Sequence, residues 1–578
     1  MKRFKALIAI LMVITMFGTL FTGCKKEETG GNNPGVKSNE KAEDDKGSTP
    51  SKEAPKEIKS FTMFNAVPGT EVPDDNRVMK AIADITGAWA KVTWLTGQTA
   101  EERIGVMIAG GDYPDFITGS TGTPALLEAG VLVAIDQYWD DYPNIKNYLP
   151  ESDWNKVRAE DGHIYLMPQF GIIQGEDMAT YHWDEAFWIQ KDVLIWANYP
   201  KIYTMDQYFD LIKNYKEANP TTADGQETVG FTMSTEDWRY FGVENPPYFL
   251  MGYPNDGACI VDPETETAID YNTIPEAKTY YKRINKAFND GLVHPETFTM
   301  SYDQYIALLS TGRVLGTLDQ LWNFNTANEA LVTQGLVGKT YVPLPISYSG
   351  DGKQKWHSPS ALDVSNGLSI TTSCRDIPGA LQFVNDLLSP EVMTLRSWGQ
   401  EGIDYMVGDD GIFYRTEEQI ANYNNQDYAT DNLVNAAYAY FPHFEGMLAD
   451  GKNAQDPKNQ PNEFYNTLYD VEKQLLDGYG YKTFLDFLGE TAISNDPWYP
   501  MWSFTNTWNS DTPEGQAKNK ITELKHTWLP KAMMASEAEY DAIWDQYQAV
   551  YKEEVDIDAY LDALTTEIKR RAAVARGE

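Results

Sequence analysis

Cysteine and histidine are scarce in this 578-residue chain, which has 3 Cys and 6 His. Basic charge is also short: 47 Lys and Arg stand against 85 Asp and Glu, a formal net charge of −38. The cysteines, Cys24, Cys259 and Cys374, form no CxxC, and the nearest histidines, His163 and His182, lie 19 positions apart. That spacing argues against a local zinc site, whose ligands come in close pairs. The charge argues against a nucleic-acid partner, because a phosphate backbone needs a basic face. "GLVGKT" (335–340) ends like a phosphate-binding loop, yet only two residues separate its glycines where four are needed. Beyond the first two dozen residues no apolar run reaches the roughly 20 residues of a membrane span.

What the chain does have is aromatic: 16 Trp, 35 Tyr and 23 Phe, 13% of all residues. Many must be core. Abundant indoles beside few imidazoles nevertheless point to stacking surfaces more than to acid–base or metal chemistry. The chain length calls for more than one domain.

The N-terminus reads as an address. "MKRFKALIAILMVITMFGTLFTGC" (1–24) begins with Lys2, Arg3 and Lys5, continues through an apolar run and ends in small residues before Cys24. That is the layout of an export signal, with 1–23 removed. "LFTGC" resembles the bacterial lipobox, with Phe21 where leucine is usual, and the resemblance implies that Cys24 is lipidated. Residues 24–57 then read as the lipidated cysteine and a flexible linker: Lys25–Glu57 has no aromatic residue and cannot offset the entropy of ordering. Such a tether spans roughly 30 Å. The implied location is the outer face of the cell membrane.

The body opens with strand "IKSFTMFNAV" (58–67), helix "NRVMKAIADITG" (76–87), strand "AKVTWLT" (90–96), a helix across 102–109 and strand "DFITG" (115–119). This is α/β alternation with a parallel sheet. Ligands in such sheets sit beyond the carboxyl ends of strands, and the "GGDYPDF" corner, with Asp112 and Asp115, is expected at that end. Helices are expected over 204–218, 275–291 and 377–396, and two more over 537–577.

Five segments in order then resemble one family. They are "MIAGGDYPDFI" (107–117), "YPNIKNYL" (142–149), "DGHIYLMP" (161–168), "WIQKDVL" (188–194) and "GQEGIDYMV" (399–407). Together with the lipobox they resemble extracytoplasmic solute-binding lipoproteins of ABC transporters, in the large oligosaccharide-binding branch of Gram-positive bacteria. The resemblance implies a periplasmic-binding-protein-like α/β fold: two lobes, a ligand cleft and several crossovers. It also implies a monomer that binds sugar, performs no chemistry and delivers to membrane permease subunits. The expected lobes are 58–175 and 317–370 for the first, 176–316 and 371–578 for the second.

A sugar offers an apolar C–H face to rings and a rim of hydroxyls to Asp, Glu, Gln or Arg. Trp residues in polar settings are therefore the candidates: Trp183, Trp238 with Arg239, Trp322 with Asp319 and Gln320, Trp356, Trp398 with Glu401 and Asp404, and Trp502 with Trp498 and Trp508. Each has core packing as its bland alternative, and for Trp544, at helical spacing with Tyr540 and Tyr547, core is the reading taken. The family often carries a calcium loop. The corresponding stretch here, "NPTTADGQETVG" (219–230), keeps Asp224 and Gly225 but has Pro220, Thr222 and Thr228 at other ligand positions. A lipid-anchored polysaccharide-degrading enzyme and a surface adhesin are the competing readings, although no catalytic carboxylate pair has a signature. The acidic body disfavours a highly anionic ligand overall, while a local Arg overrides a global field. Cys259 and Cys374 are either a bridge or two buried thiols.

Overall fold

The computed structural model describes residues 58–159, 161–353, 362–489 and 496–578. Residues 1–57, with the export signal, Cys24 and the linker, and the segment holding Trp356 lie outside the described residues. Eight strands build two mixed sheets: β1 (Lys59–Asn65), β2 (Ala88–Trp94), β3 (Phe116–Thr118), β4 (Glu185–Gln190), β5 (Val229–Met233), β6 (Val314–Gln320), β7 (Tyr341–Leu344) and β8 (Leu368–Ile370). The first sheet has the order β8-β3-β1-β2 and the second β7-β4-β6-β5.

In the first sheet β1 runs parallel to both β2 and β3, and β8 closes the edge antiparallel to β3. The period-2 alternation of β1 explains its two covered faces. Phe61 and Met63 join the large core on one side, and Phe64 joins Ile104, Met107 and Ile117 on the other. Helix α1 (Arg77–Thr86) starts where the Asn76 side chain accepts from the Met79 amide and stops at Gly87, in the left-handed region at φ 69°. Helix α2 (Ala100–Gly110) has a Thr99–Glu102 capping box and stops at Gly111, φ 66°. In the second sheet β6 is parallel to β5, whereas β4 is antiparallel to β6 and to β7.

Two large apolar cores follow the two sheets, and the chain passes between them three times: between Ile172 and Ala186, Ile346 and Leu362, and Phe441 and Phe464. Two of these passages pair with each other, Ile173–Gln174 running parallel to Glu445–Gly446. This differs from the expected boundaries. Residues 317–346 belong to the second core, because β6 and β7 complete its sheet; residues 371–441 belong to the first, because β8 returns the chain to β3. The expected helix over 377–396 is two, Ile377–Leu387 and Pro390–Trp398, since Pro390 has no amide hydrogen to continue the first and suits the first turn of the next. The C-terminal helices Tyr540–Glu554 and Ile557–Arg576 lie where expected, joined by Pro513–Met534, and Trp544 is core. Cys259 sits in the second core and Cys374 in the first, both as free buried thiols.

Candidate functional site

Strand direction decides what gathers at each sheet edge. In the second sheet the carboxyl ends of β5 and β6 lie together, and antiparallel β4 begins beside them, Glu185 opposite Gln320. Trp183 precedes β4, Trp238 and Arg239 follow β5, and Trp322 follows β6 at the start of helix α3 (Leu321–Thr333). Trp238 and Trp322 stack with ring centroids 5.8 Å apart and planes 9° apart, yet remain 50% and 46% exposed. The Trp322 amide donates to the Trp183 carbonyl at 3.3 Å, and its indole N–H donates to Gln320 Oε1. Two large rings half in water and parallel to each other form a platform, which single scattered surface rings do not.

Arg239 is clamped beside this platform. Its guanidinium lies 4.4 Å from the Trp238 ring centroid and 4.1 Å from that of Tyr302, and its Nε donates to Asn323 Oδ1 at 3.1 Å. Beneath, the Asn323 amide donates to both oxygens of Asp319 at 3.0 and 3.1 Å, and the Tyr305 hydroxyl donates to Asp319 Oδ2 at 2.6 Å. Burial pushes the Asp319 carboxyl up to about 7, against the pull of those donors. Asp184 is raised to about 6, again by burial. Glu185 is raised well above the ordinary carboxylate range by its own burial and by the neighbouring Asp184 charge, although Asn245 and Asn255 donate to its Oε2. The platform therefore rests on a buried, largely self-satisfied hydrogen-bond network.

The first sheet's carboxyl edge has a different character. Asn65, Trp94 and Thr118 end β1, β2 and β3 in register. Gln169 donates from Nε2 to Thr118 Oγ1 at 3.1 Å and also to the Tyr440 carbonyl. Asn65 Nδ2 and Oδ1, Trp94 Nε1 and Gln169 Oε1 are buried with no partner among the described residues, which is costly for polar groups. Around them Trp94 meets Tyr440 edge-on at 5.6 Å, and Phe170 meets Tyr440 and His443 at 5.5 and 5.6 Å. The buried Arg396 guanidinium donates to the carbonyls of Leu387, Tyr438, Phe441 and Pro442, fixing the turn that carries Tyr440 and His443. Burial, helped by Arg396, lowers His443 to about 4, so its ring is neutral at pH 7.

Of the sequence candidates the structure gathers five at one edge: Trp183, Trp238, Arg239, Gln320 and Trp322. Others fall elsewhere. Trp398 is 2% exposed in a small core with Tyr405 and Leu448, its indole N–H on the Ala454 carbonyl. Asp404 is bound by Arg77, with Nη2–Oδ1 2.7 Å and Nη1–Oδ2 3.0 Å, and also accepts the Gln400 amide; it staples the 399–405 loop to α1. Glu401 is exposed on that stapled loop. Trp502, Trp508 and Trp498 pack into or against the second core, the Trp502 amide on Asp256.

The "GGDYPDF" corner precedes β3, so it lies at the amino end of the parallel strands rather than the carboxyl end. Asp115 accepts the Thr62 amide and hydroxyl at 2.8 Å each, holding β3 to β1, and Asp112 sits exposed in the same turn. The residues of 219–230 do not fit a calcium loop. They close a hairpin bridged at Thr221 and Glu227, the Thr228 hydroxyl donates to the Asn219 carbonyl, and Asp224 accepts from Thr222. Among the described residues no group of three or more His, Cys, Asp or Glu could hold a metal ion.

Sequence reading missed Asn65, Trp94, Gln169, Phe170, Tyr440 and His443. A signal did exist for Asn65: a polar residue ending an apolar strand lies where a parallel sheet presents ligands. Nothing local marks the others, which come from three segments far apart in sequence.

A family model described as bacterial extracellular solute-binding protein matches residues 83–394. The polygalacturonan/rhamnogalacturonan-binding protein YtcQ of Bacillus subtilis is 22% identical over 400 residues, spanning 67% of this chain and 72% of YtcQ. The fructooligosaccharide ABC transporter substrate-binding protein FusA of Streptococcus pneumoniae is 22% identical over 351 residues, 57% of this chain and 61% of FusA. The structure of a FusA EF-hand mutant in complex with fructo-nystose matches 89% of this chain and 100% of that one, with a TM-score of 0.58 at 17% identity.

Proposed function

This chain belongs to the bacterial extracellular solute-binding proteins, and we propose that it captures an oligosaccharide and delivers it to the permease subunits of an ABC importer. Its fold is the periplasmic-binding-protein-like one. The lobes of this reading follow the two cores, and the ligand lies between the carboxyl edges of the two sheets. The observation that carries it is the half-exposed Trp238–Trp322 stack beside Arg239, at the strand edge where such sheets hold ligands.

Two ring stacks at about 0.5–1.5 kcal/mol each, added to burial and hydrogen bonds, suffice for a micromolar complex of about −8 kcal/mol. Asn65 and Gln169 are covered in this conformation, so ligand reaches them when the lobes part. The contacts between the two core bodies include exposed polar ones that break at little cost: Asn509 to Glu128 at 3.1 Å and Arg570 to the Asn155 carbonyl at 3.2 Å. The chain acts as a monomer outside the cell membrane, held there by a lipid on Cys24, and cuts no bond.

Tryptophan-fluorescence titration of the full chain against a panel of neutral and acidic oligosaccharides tests this, with reducing ends assayed in the same tubes. Saturable micromolar binding without new reducing ends is expected, and small-angle scattering should show a smaller particle on saturation. Absence of binding across the panel, or release of reducing ends, overturns it.

A further inference from the structure

Arg239 is more than a neutral sugar requires. Among the described residues its two terminal guanidinium nitrogens have no hydrogen-bond partner, and it forms no ion pair, in a chain with 85 acidic and 47 basic residues. The nearby acids have other places. Asp319 is taken by Tyr305, Asn323 and the Gln320 amide, and Glu236 accepts the Tyr302 amide. Asp237 and Asp303 flank Trp238 and Tyr302 in sequence without reaching ion-pair distance of Arg239. The guanidinium plane is held between two rings and its Nε is fixed by Asn323, so its outer edge is aimed before any ligand arrives.

An immobilised guanidinium edge with two parallel donors matches a carboxylate, which accepts both in a fork that a lone hydroxyl cannot fill. We propose that Arg239 receives a sugar carboxylate, and that the ligand class is uronic-acid-containing oligosaccharides. This rests on the binding reading above and narrows it. The net negative charge does not oppose it at the site: contact with Arg239 is closer than the screening length of about 8 Å at physiological salt, whereas most of the acids are spread over a much larger surface.

The test pairs each acidic probe, oligogalacturonides and oligoalginates of three to six residues, with its methyl-esterified counterpart, which keeps the stereochemistry and removes the charge. Three full-length proteins are titrated calorimetrically: the parent, Arg239→Gln and Trp322→Ala. In the parent at least one acid should bind tenfold or more tighter than its ester. Arg239→Gln should weaken that acid about thirtyfold while leaving the ester within threefold, and Trp322→Ala should weaken both. Equal binding of acid and ester, failure of every acid while neutral sugars bind, or equal loss of acid and ester in Arg239→Gln overturns the carboxylate assignment alone. A Trp322→Ala chain that binds like the parent overturns the binding site itself.

Discussion

The two sheet edges meet the same task with opposite means. The second sheet offers rings, a clamped guanidinium and buried acids whose hydrogen bonds largely close on one another. The first sheet offers neutral amides and an indole N–H that find no partner among the described residues. The second edge leaves Glu185 Oε1 and Ser234 Oγ unpaired among the described residues, while the first leaves four atoms on three side chains unpaired, and such unmet capacity costs stability and is useful only if something else satisfies it. The difference separates a preformed platform from a set of reading groups.

The two edges should respond to pH with opposite sign: the lowered His443 at the first loses stability as pH falls below its free value, and the raised Asp319 at the second loses stability as pH rises. Asp319 titrates at about 7 when folded and near 3.8 when unfolded, so between pH 4 and 7 the folded chain holds a proton that the unfolded chain releases. Its contribution to stability is therefore fully present below pH 4 and is lost as pH rises through 7, about 2–4 kcal/mol in all. Urea unfolding of the parent and Asp319→Asn at pH 5 and pH 8 checks this. The variant should lose that part of the slope, and an unchanged slope would show that the carboxyl is already ionised in the folded state.

The next effect sharpens the platform. Replacing Trp238 and Trp322 together by alanine removes two stacks, about 2–3 kcal/mol or up to 10²-fold in affinity. Because both rings are half exposed, thermal stability should move by only a few degrees. A large loss of stability at unchanged affinity would instead make the pair a packing feature. At the opposite edge Asn65→Leu should do the reverse, raising stability by about 1 kcal/mol by removing an unmet buried amide while lowering ligand affinity severalfold. Destabilisation with binding intact would show Asn65 to be structural.

The same contrast explains what sequence could reveal. The strand–helix alternation from 58 to 119 was legible because caps and turns there are local: Asn76, Thr99, Gly87 and Gly111 each act within one turn. The platform was legible in part because Trp238 and Trp322 sit in polar surroundings, which tells of exposure. Trp398 sits in equally polar company, "SWGQEG", and is buried, since its burial depends on Tyr405 and Leu448 folding over it. Asp404 looked free because its partner Arg77 is more than 300 positions away. Core membership departs from the expected lobe ranges for a similar reason: which sheet β8 joins is decided by pairing with β3, and no residue near 370 encodes that.

The smallest effect concerns metal. The FusA structure that matches 89% of this chain is that of an EF-hand mutant. Here the stretch at 219–230 supplies two carboxylates, Asp224, already accepting from Thr222, and Glu227, 3.5 Å from Lys216 Nζ, where calcium takes six to eight oxygens. The hairpin is closed instead by Thr222 N to the Gln226 carbonyl at 2.8 Å, Thr228 N to the Pro220 carbonyl at 3.0 Å, and the Thr228 hydroxyl on Asn219. Those bonds do without an ion what a bound ion does in a loop of acids, namely fix the backbone in one turn. Chelator, added calcium, or Asp224→Ala should therefore leave the melting temperature within about 1 °C, since an exposed turn contact is worth at most about 0.5 kcal/mol. A calcium-dependent rise of several degrees that Asp224→Ala abolishes would mean that the hairpin opens to form a site and that its internal bonds are the weaker alternative.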